Sequence, residues 1–425
     1  MRKIVLSGLA VMLSYGLYAQ KTYIHAGKLI DVKNKKTLSE QTIIVENDKI
    51  LSVVSGYSTP GSGDSEIDLK NSTVMPGLMD MHVHIEGETS PTRYVDGFRN
   101  NEADIAFNSI GFAEKTIMAG FTTVRDLGGS GVNIALRNAI NSGKVTGPRI
   151  YTAGKSIAPT GGHADPTNGV RRDLMGDPGP DQGVINGPYD ARKAVRQAVK
   201  YGSDLIKVTA TGGVLSVARD GSAPQFQQDE LDAIVATAKD FGIMVAAHAH
   251  GDEGMQRAIK AGVTSIEHGT MMSDETMDLM KERGTWLVPT ITAGMSAAAF
   301  AEIPGYYPEV VAQKAKRIGA QIQETFGKAY KKGVKIAFGT DAGVFAHGDN
   351  YREFIYMAEV GMPNLDVIQS ATLTNAQFLG IEDKLGSIEA GKLADIIAVA
   401  GDPEQDISVM KNVVFVMKEG KVVKD

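Results

Sequence analysis

Alternating apolar and polar positions mark the first part of the chain after position 20. In "KTYIHAGKLIDVKNKKTLSEQTIIVENDKILSV", residues 21–53, apolar side chains alternate with polar ones around the turn-forming stretches "KNKK" and "END". A period of two is the period of a half-buried strand. The pattern therefore predicts short antiparallel strands.

A second pattern begins near Val74. Short apolar runs recur there with helical segments between many of them, which is typical of parallel strands covered by helices. The eight runs are "TVMPGLMDMHVH", "GFTTVRDLG", "PRIYTAG", "DLIKVTATGG", "IMVAAHAHG", "TSIEHG", "TWLVPTIT" and "VKIAFGTDAG". They predict an α/β protein whose residues 76–371 form a (β/α)8 TIM barrel.

The pattern of four of the intervening segments predicts helices, and each segment ends at a glycine, a common helix terminator. They are "QDELDAIVATAKDFG", "EGMQRAIKAG", "SDETMDLMKERG" and "VVAQKAKRIGAQIQETFGKAYKKG". The stretch between the third and fourth strands, residues 158–190, is rich in Gly, Pro and Asp. By its position it predicts a long active-site loop.

The C-terminal stretches "GKLADIIAVAGD" and "VVFVMKEGKVV" return to strand patterns, with a turn at Glu419 and Gly420. We expect them to pair with the N-terminal strands. Residues 20–75 and 372–425 would then form one small, discontinuous β-sandwich domain beside the barrel.

Composition narrows the function classes. The 425 residues are 43% hydrophobic and 22% charged, as in an ordinary globular protein. A net charge of −6 and an isoelectric point near 5.8 give no general attraction to nucleic acid or anionic membrane. We therefore expect a small-molecule or peptide substrate and no nucleic-acid partner.

The first twenty residues, "MRKIVLSGLAVMLSYGLYAQ", have the order of a secretory signal peptide, with two basic residues, an apolar core and a small residue at Ala19. We predict cleavage after residues 1–19 and a periplasmic or secreted protein without a membrane span in its mature form. A membrane anchor is the alternative, but the apolar core is shorter than the roughly 20 residues that a spanning helix needs. The chain has no cysteine, so any metal site must use histidine, carboxylate or modified lysine ligands.

Six ligand-capable side chains lie near the C-terminal ends of the predicted barrel strands, where barrel active sites are built. They are His82, His84, Lys207, His248, His268 and Asp341. The stretch "DMHVHIEG" sets two of the histidines one residue apart, so both project from the same strand face. Their convergence at one rim predicts a metal site.

Each residue also has a simpler interpretation. A lone strand histidine such as His268 is more often a hydrogen-bonded core residue than a ligand. Asp341 in "FGTDAG" has the sequence context of a helix cap. Lys207 lies in an apolar strand and must neutralise, pair or be modified, and an ion pair with Asp341 would satisfy it. If the site did not bind metal, all six of these simpler interpretations would have to hold at the same rim of the barrel.

The sequence resembles the amidohydrolase superfamily through "PGLMDMHVH", "IEHG", "FGTDAG" and the tail "TLTNAQFLGIEDKLGSIEAGKLADIIAV". Within it the chain is most similar to prolidase-type dipeptidases and ochratoxin-type amidases. The stretches "TAGKSIAPTGGHAD", "DLIKVTATGGVLS" and "VAAHAHGDEGMQRAIKAGVTSIEHG" carry that similarity.

The resemblance implies two divalent metal ions and a carboxylated lysine. His82, His84 and Asp341 would hold the first ion, His248 and His268 the second. Lys207, carboxylated by carbon dioxide, would bridge both. Zinc is the expected metal, with manganese or cobalt as alternatives, because imidazole and carboxylate ligands suit all three.

Asp341 is the expected catalytic base, which would later return its proton to the departing amine. His250 and His163 are candidates for polarising the scissile carbonyl or for binding a substrate carboxylate, with loop hydrogen bonding as their alternative role. Arg219 is a further candidate for the substrate carboxylate, with a solvated surface role as its alternative.

These residues predict an exported metal-dependent hydrolase of dipeptides or N-acyl amino acids that requires a C-terminal carboxylate, with Xaa-Pro bonds the first to test. One alternative is a cyclic-amide or lactone hydrolase resembling imidazolonepropionase, which would lack the bridging lysine. The other is a non-catalytic binding member, which would have lost metal ligands. Members of the superfamily often assemble, so a homo-oligomer is a further expectation.

Overall fold

The fold was analysed in a computed structural model that describes residues 20–218 and 221–425. The predicted signal peptide, residues 1–19, and the candidate Arg219 lie outside the described residues. Among the residues described, none of the helices combines the length and apolar content that a membrane span requires.

Strands account for both ends of the described chain and recur between the helices. In chain order they are β1 (Lys21–Asp31), β2 (Lys36–Glu46), β3 (Lys49–Ser55), β4 (Ser65–Pro76), β5 (Leu78–Val83), β6 (Phe121–Asp126), β7 (Arg149–Thr152), β8 (Ala158–Pro159), β9 (Val184–Ile185), β10 (Ile206–Thr209), β11 (Val245–Ala249), β12 (Ser265–His268), β13 (Trp286–Val288), β14 (Lys335–Ile336), β15 (Ile396–Val399), β16 (Val413–Lys418) and β17 (Lys421–Lys424).

Helices separate most of the strands from β5 to β15. They are α1 (Arg93–Asp96), α2 (Glu102–Met118), α3 (Val132–Asn141), α4 (Arg172–Met175), α5 (Pro188–Tyr201), α6 (Gln228–Asp240), α7 (Asp252–Ala261), α8 (Asp274–Arg283), α9 (Ile291–Ala301), α10 (Glu309–Lys332), α11 (Arg352–Glu359), α12 (Asn364–Gln369) and α13 (Asn375–Leu379). A π-helical turn, Ser370–Thr374, joins α12 to α13.

The two ends of the chain meet in one seven-stranded sheet with the order β17-β16-β15-β4-β1-β2-β3. β15 runs antiparallel to β4, with Ile396 opposite Pro76, so the predicted pairing of N- and C-terminal strands is confirmed. Apolar side chains from both ends, including Ile24, Ile43 and Phe415, share a separate core. The two-layered sandwich and the domain limits stay predictions.

All eight predicted barrel runs contain a strand, and these strands lie in two parallel sheets, β5-β6-β7 and β10-β11-β12-β13-β14. Backbone hydrogen bonds also connect the sheets. On one side the Ile157 amide donates to the Lys207 carbonyl at 2.8 Å, and on the other the His84 amide donates to the Ala342 carbonyl at 2.7 Å. The carboxyl ends of strands from both sheets consequently lie near one another.

The four predicted helices correspond to α6, α7, α8 and α10, and each is followed by its predicted glycine in a left-handed conformation. One strand prediction was too long. The run "TWLVPTIT" forms a strand only to Val288, and α9 begins at Ile291. The cause is remote in sequence, because the carboxyl group of Glu353 accepts hydrogen bonds from the Ile291 and Thr292 amides and so caps the start of α9.

The predicted loop at residues 158–190 is largely irregular. It contains the two-residue strands β8 and β9, which pair with each other, and the single turn of α4. The loop carries His163, whose amide donates to the side chain of Gln225 at 2.7 Å. This contact ties the loop to the segment that follows β10.

Candidate metal centre

One cavity of about 460 Å³ contains all the candidate ligands. Six of the eight histidines in the chain line it, together with one lysine and one aspartate. They are His82, His84, His163, His248, His250, His268, Lys207 and Asp341. The structure therefore brings together every sequence-predicted site residue among those it describes.

The first strand of the parallel region, β5, places His82 and His84 on the same side, as the spacing predicted. Their Nε2 atoms lie 3.5 and 3.4 Å from Oδ1 of Asp341. This oxygen is buried and accepts no hydrogen bond from the described residues. Two imidazole nitrogens around an unsatisfied carboxylate oxygen form a donor set that fits a cation.

His248, His250 and His268 form a second cluster, whose potential ligand atoms lie within 4.8 Å of one another. Nδ1 of His250 is 2.8 Å from the Thr270 hydroxyl, which leaves Nε2 to face the cavity. Nε2 of His248 is 3.0 Å from the Gly212 carbonyl oxygen. Because a carbonyl only accepts, this nitrogen carries the proton here and Nδ1 of His248 has the lone pair.

Three non-glycine residues at the site have left-handed backbone conformations: His268 at φ 73°, Thr290 at φ 52° and Asp341 at φ 61°. Such conformations cost on the order of 1–3 kcal/mol each and cluster at functional sites. Nδ1 of His268 lies 2.7 Å from the Thr290 hydroxyl, so two of the strained residues hold each other. No local sequence pattern indicates this strain.

Lys207 is buried at 3% exposure, with Nζ 3.4 Å from Nε2 of His82. Within the described part of the chain it forms no ion pair with Asp341 or another carboxylate. The alternative of a Lys207–Asp341 salt bridge therefore has no support in the geometry. Burial lowers the pKa of Lys207 to about 8, because desolvation disfavours the ammonium more than nearby carboxylates favour it.

Burial also sets the charge of the other site residues. It is the largest cause of the lowered pKa of six imidazoles. The pKa is about 3 for His84, His163 and His250. It is well below 6.5 for His82, His248 and His268. Burial raises the pKa of Asp341 to about 7, against the lowering effect of Lys207. The site thus offers neutral imidazoles, the form that binds metal ions.

A buried ion pair that sequence reasoning missed supports the first cluster. Oε2 of Glu267 lies 3.0 Å from Nδ1 of His82, and Oε1 accepts a 2.7 Å hydrogen bond from Arg125. Both charged side chains are fully buried. In the sequence, Arg125 in "TTVRD" and Glu267 in "SIEHG" are each a charged residue inside an apolar run. The same feature singled out Lys207.

Asp80 forms a second support that the sequence analysis missed. Its Oδ1 accepts hydrogen bonds from the His82 and Thr340 amides, both at 3.0 Å. Its Oδ2 accepts from the Thr340 hydroxyl and from the side chain of Asn350. These bonds join β5 to the segment that carries Asp341, so Asp80 fixes the separation of the two ligand-bearing segments.

Arg93 is the remaining residue that the sequence analysis missed. It lies on α1 and lines the cavity. Its positive charge contributes to the lowered pKa of His84 and His163. Of the other cationic residues, Lys314 is hydrogen bonded to the carbonyls of Gly213, Ser216 and Ala218. Arg93 makes no carboxylate ion pair within the described residues, which leaves its charge available to a ligand.

Comparison with known proteins gives a consistent picture. The profile of the amidohydrolase family matches residues 73–423. Ochratoxinase from Aspergillus niger is 31% identical over 426 aligned positions, which cover 96% of this chain and 87% of that protein. The crystal structure of a Xaa-Pro dipeptidase with methionine bound in its active site has 55% identity and a TM-score of 0.93, with 96% and 100% of the two chains covered. A prolidase complexed with N-methylphosphonate-L-proline has 31% identity and a TM-score of 0.87, with 95% and 100% covered.

Proposed function

The chain belongs to the amidohydrolase family, and we propose that it is an exported binuclear-metal enzyme that hydrolyses dipeptides or N-acyl amino acids with a free C-terminal carboxylate. The resemblance to prolidase-type members that the motifs predicted is confirmed. The chain is a hydrolase of amide bonds. The convergence of four histidines, Lys207 and Asp341 in one cavity is the observation that carries the metal-dependent part of the proposal.

The donor set supports two ion sites that share Lys207. His82, His84 and Asp341 would hold one ion, and His248 with His268 the other. When bound, two such ions supply a hydroxide nucleophile near neutral pH and polarise the carbonyl under attack. A carboxylated Lys207 would add two anionic oxygens between two cations, which explains why a lysine lies among neutral imidazoles.

The side chains around the ions have separate tasks in this proposal. Asp341 would accept the proton of the attacking water and return it to the departing amine. His250 presents Nε2 to the cavity while Thr270 holds its Nδ1, so it would donate to the carbonyl oxygen of the substrate. His163, stacked on His248 with ring centroids 4.5 Å apart, would contact the carboxylate side.

A free carboxylate on the substrate is supported by the cation at the cavity wall. Arg93 lines the cavity without a carboxylate partner among the described residues, and Arg219 stays a second candidate. The phosphonate-proline complex of the related prolidase and the methionine-bound dipeptidase indicate ligands of amino-acid size. We therefore place the scissile bond directly before a C-terminal residue, with Xaa-Pro as the first bond to test.

The finer architecture belongs to the same proposal. We take the two parallel sheets as a single (β/α)8 barrel, because hydrogen bonds connect them at Ile157 and at His84. The terminal strands would form the small β-sandwich domain, residues 20–75 and 372–425. Export to the periplasm or beyond rests on the sequence of residues 1–19 alone.

Lys207 separates this proposal from its two alternatives. A cyclic-amide or lactone hydrolase of the imidazolonepropionase type would lack the bridging lysine, whereas Lys207 lines the cavity with its Nζ 3.4 Å from Nε2 of His82. A non-catalytic binding protein would have lost ligands, whereas all six are present in one cavity. A metal-dependent amide hydrolase accounts for every one of these residues.

The proposal is tested by turnover across a dipeptide library, with metal content measured on the same sample. Hydrolysis of dipeptides should depend on the free carboxylate, so converting it to an amide should reduce kcat/KM by about thirtyfold, equivalent to about 2 kcal/mol. Equal rates on the acid and the amide would contradict the carboxylate requirement. Activity confined to lactones or cyclic imides would replace the proposal with the cyclic-amide alternative.

A further inference from the structure

Apart from its ligand cluster, the cavity has an apolar wall that the chemistry of hydrolysis does not use. Helices α9 and α10 build it from small and branched side chains, Ala293 and Ala297 on α9 and Ile318 and Ile322 on α10. Each pair is spaced by four residues, so each presents one stripe of its helix to the cavity. Both helices lie between β13 and β14.

Close helix packing brings the two stripes together. A side chain on Gly319 would lie 2.5 Å from Cβ of Ala298 and 2.9 Å from the Gly294 carbonyl oxygen, so the helices meet backbone to backbone at this point. A side chain on Gly294 would likewise collide with Ile322 at 2.8 Å. The two glycines therefore permit the close approach of α9 and α10.

The wall continues into the loop after β10. Val214 belongs to the same apolar cluster as Ala293 and Ala297. Lys314 of α10 donates to the carbonyls of Gly213, Ser216 and Ala218 at 2.7–2.8 Å and so holds this loop on the helix pair. The loop also lies directly against His163, since a side chain at Gly213 would lie 2.3 Å from the imidazole.

The position of Arg93 indicates which part of the substrate would contact this wall. Its neighbour Tyr94 packs on the same apolar cluster, and the Tyr94 hydroxyl donates to the Leu215 carbonyl at 2.8 Å. The cation proposed to bind the substrate carboxylate thus lines the same cavity as the wall, and the residue next to it packs on the apolar cluster behind the wall. In an α-amino acid the carboxylate and the side chain leave the same carbon, so the side chain of the C-terminal residue would lie against α9 and α10.

From this arrangement, and resting on the proposed function, we infer that the wall of α9 and α10 is a subsite for a bulky apolar side chain on the C-terminal residue of the substrate. The two alanines, each about 5% exposed or less, set its depth because any larger residue there would occupy the space of the ligand. The enzyme would favour leucine, methionine or phenylalanine over glycine or alanine at this position.

The test compares hydrolysis of Ala-Ala, Ala-Leu and Ala-Phe by the metal-loaded wild-type protein and two variants. Ala297→Leu fills the subsite, whereas Ala299→Leu makes the same change on the exposed face of the same helix. We expect wild-type kcat/KM to rise about tenfold or more from Ala-Ala to Ala-Leu. Ala297→Leu should abolish that preference, and Ala299→Leu should keep both the preference and the wild-type activity on Ala-Ala.

Binding of free L-leucine and L-alanine, measured by calorimetry on the same three proteins, separates this inference from the proposed function. Tighter binding of leucine to the wild type that is lost in Ala297→Leu supports the subsite even if no dipeptide is cleaved. Dipeptide cleavage with equal kcat/KM for Ala-Ala and Ala-Leu would overturn the subsite and leave the proposed function intact. An Ala297→Leu protein that keeps the wild-type preference would overturn it as well.

Discussion

Nδ1 of His82 lies 3.0 Å from a carboxylate oxygen of Glu267, and the other oxygen of that carboxylate accepts a hydrogen bond from the buried Arg125. The contact fixes the tautomer of His82, because Nδ1 donates to the carboxylate and Nε2 keeps its lone pair toward the cavity. Glu267 is fully buried, and Arg125 is its only arginine or lysine partner within 4.0 Å among the described residues.

Substituting Glu267→Gln should therefore weaken metal retention. Partners of this kind typically contribute 10–100-fold to metal affinity, so we expect a loss in about that range. The measurement is competition with a chelator on protein shown to be folded by circular dichroism. Glu359→Gln, on the exposed side of α11, is the matched control. Unchanged metal affinity in a folded Glu267→Gln protein would show that His82 does not need this partner.

Lys207→Ala should remove the bridge between the two proposed ion sites. We expect a loss of activity greater than the roughly 10–100-fold that outer partners contribute, together with reduced metal content. Added formate or another small carboxylate should restore part of the activity, because it can take the place of the carbamate. His250→Ala gives the contrast, since it should keep both metals and lower turnover. A Lys207→Ala protein with wild-type rate and metal content would rule out the carbamate.

Arg93→Gln should raise KM for dipeptides and leave their C-terminal amides almost unaffected. Losing the partner of a substrate carboxylate costs on the order of 2 kcal/mol, which is about thirtyfold in kcat/KM. Steady-state kinetics on acid and amide pairs measures the effect, with Arg99→Gln as a control outside the cavity lining. If acid and amide lose activity equally in Arg93→Gln, the residue does not bind the carboxylate.

Glu353 should make stability depend on pH. Burial raises its pKa from 4.5 to about 8, so the folded protein favours the protonated form. Its contribution is fully present below pH about 4.5 and is lost as the pH rises through about 8. The free energy of unfolding, measured with denaturant, should be lower near pH 8 than near pH 4.5.

The Glu353→Gln variant should show a smaller decline across the same window, because its amide does not titrate. Glu359→Gln makes the same change on an exposed residue of the same helix and should keep the wild-type slope. Identical slopes in the wild type and in Glu353→Gln would mean that Glu353 is ionised in the fold throughout this range.

Much of the architecture followed from periodicity. Every one of the eight apolar runs contains a strand, and the same-face placement of His82 and His84 follows from the period of two. What periodicity missed depends on contacts between distant segments. The start of α9 at Ile291 is set by the carboxyl group of Glu353, and no local pattern encodes such a cap.

The sequence predicted the candidate ligands of the site but not the residues that hold those ligands in position. Ligands stand out because histidine is rare in this chain and recurs at strand ends. Glu267 and Arg125 pair over a sequence distance of 142 residues, and their roles appear only when β6 and β12 face each other. The left-handed residue Asp341 likewise follows Thr340, whose amide is hydrogen bonded to Asp80 in a distant segment of the chain.

Metal titration of the metal-free protein tests the central claim most directly. Zinc is added in steps, and bound metal and hydrolysis of a dipeptide are measured on the same samples. The account predicts that activity is absent without metal, rises with binding and reaches its maximum when two ions are bound per chain. Full activity in a preparation that contains no bound metal would contradict it.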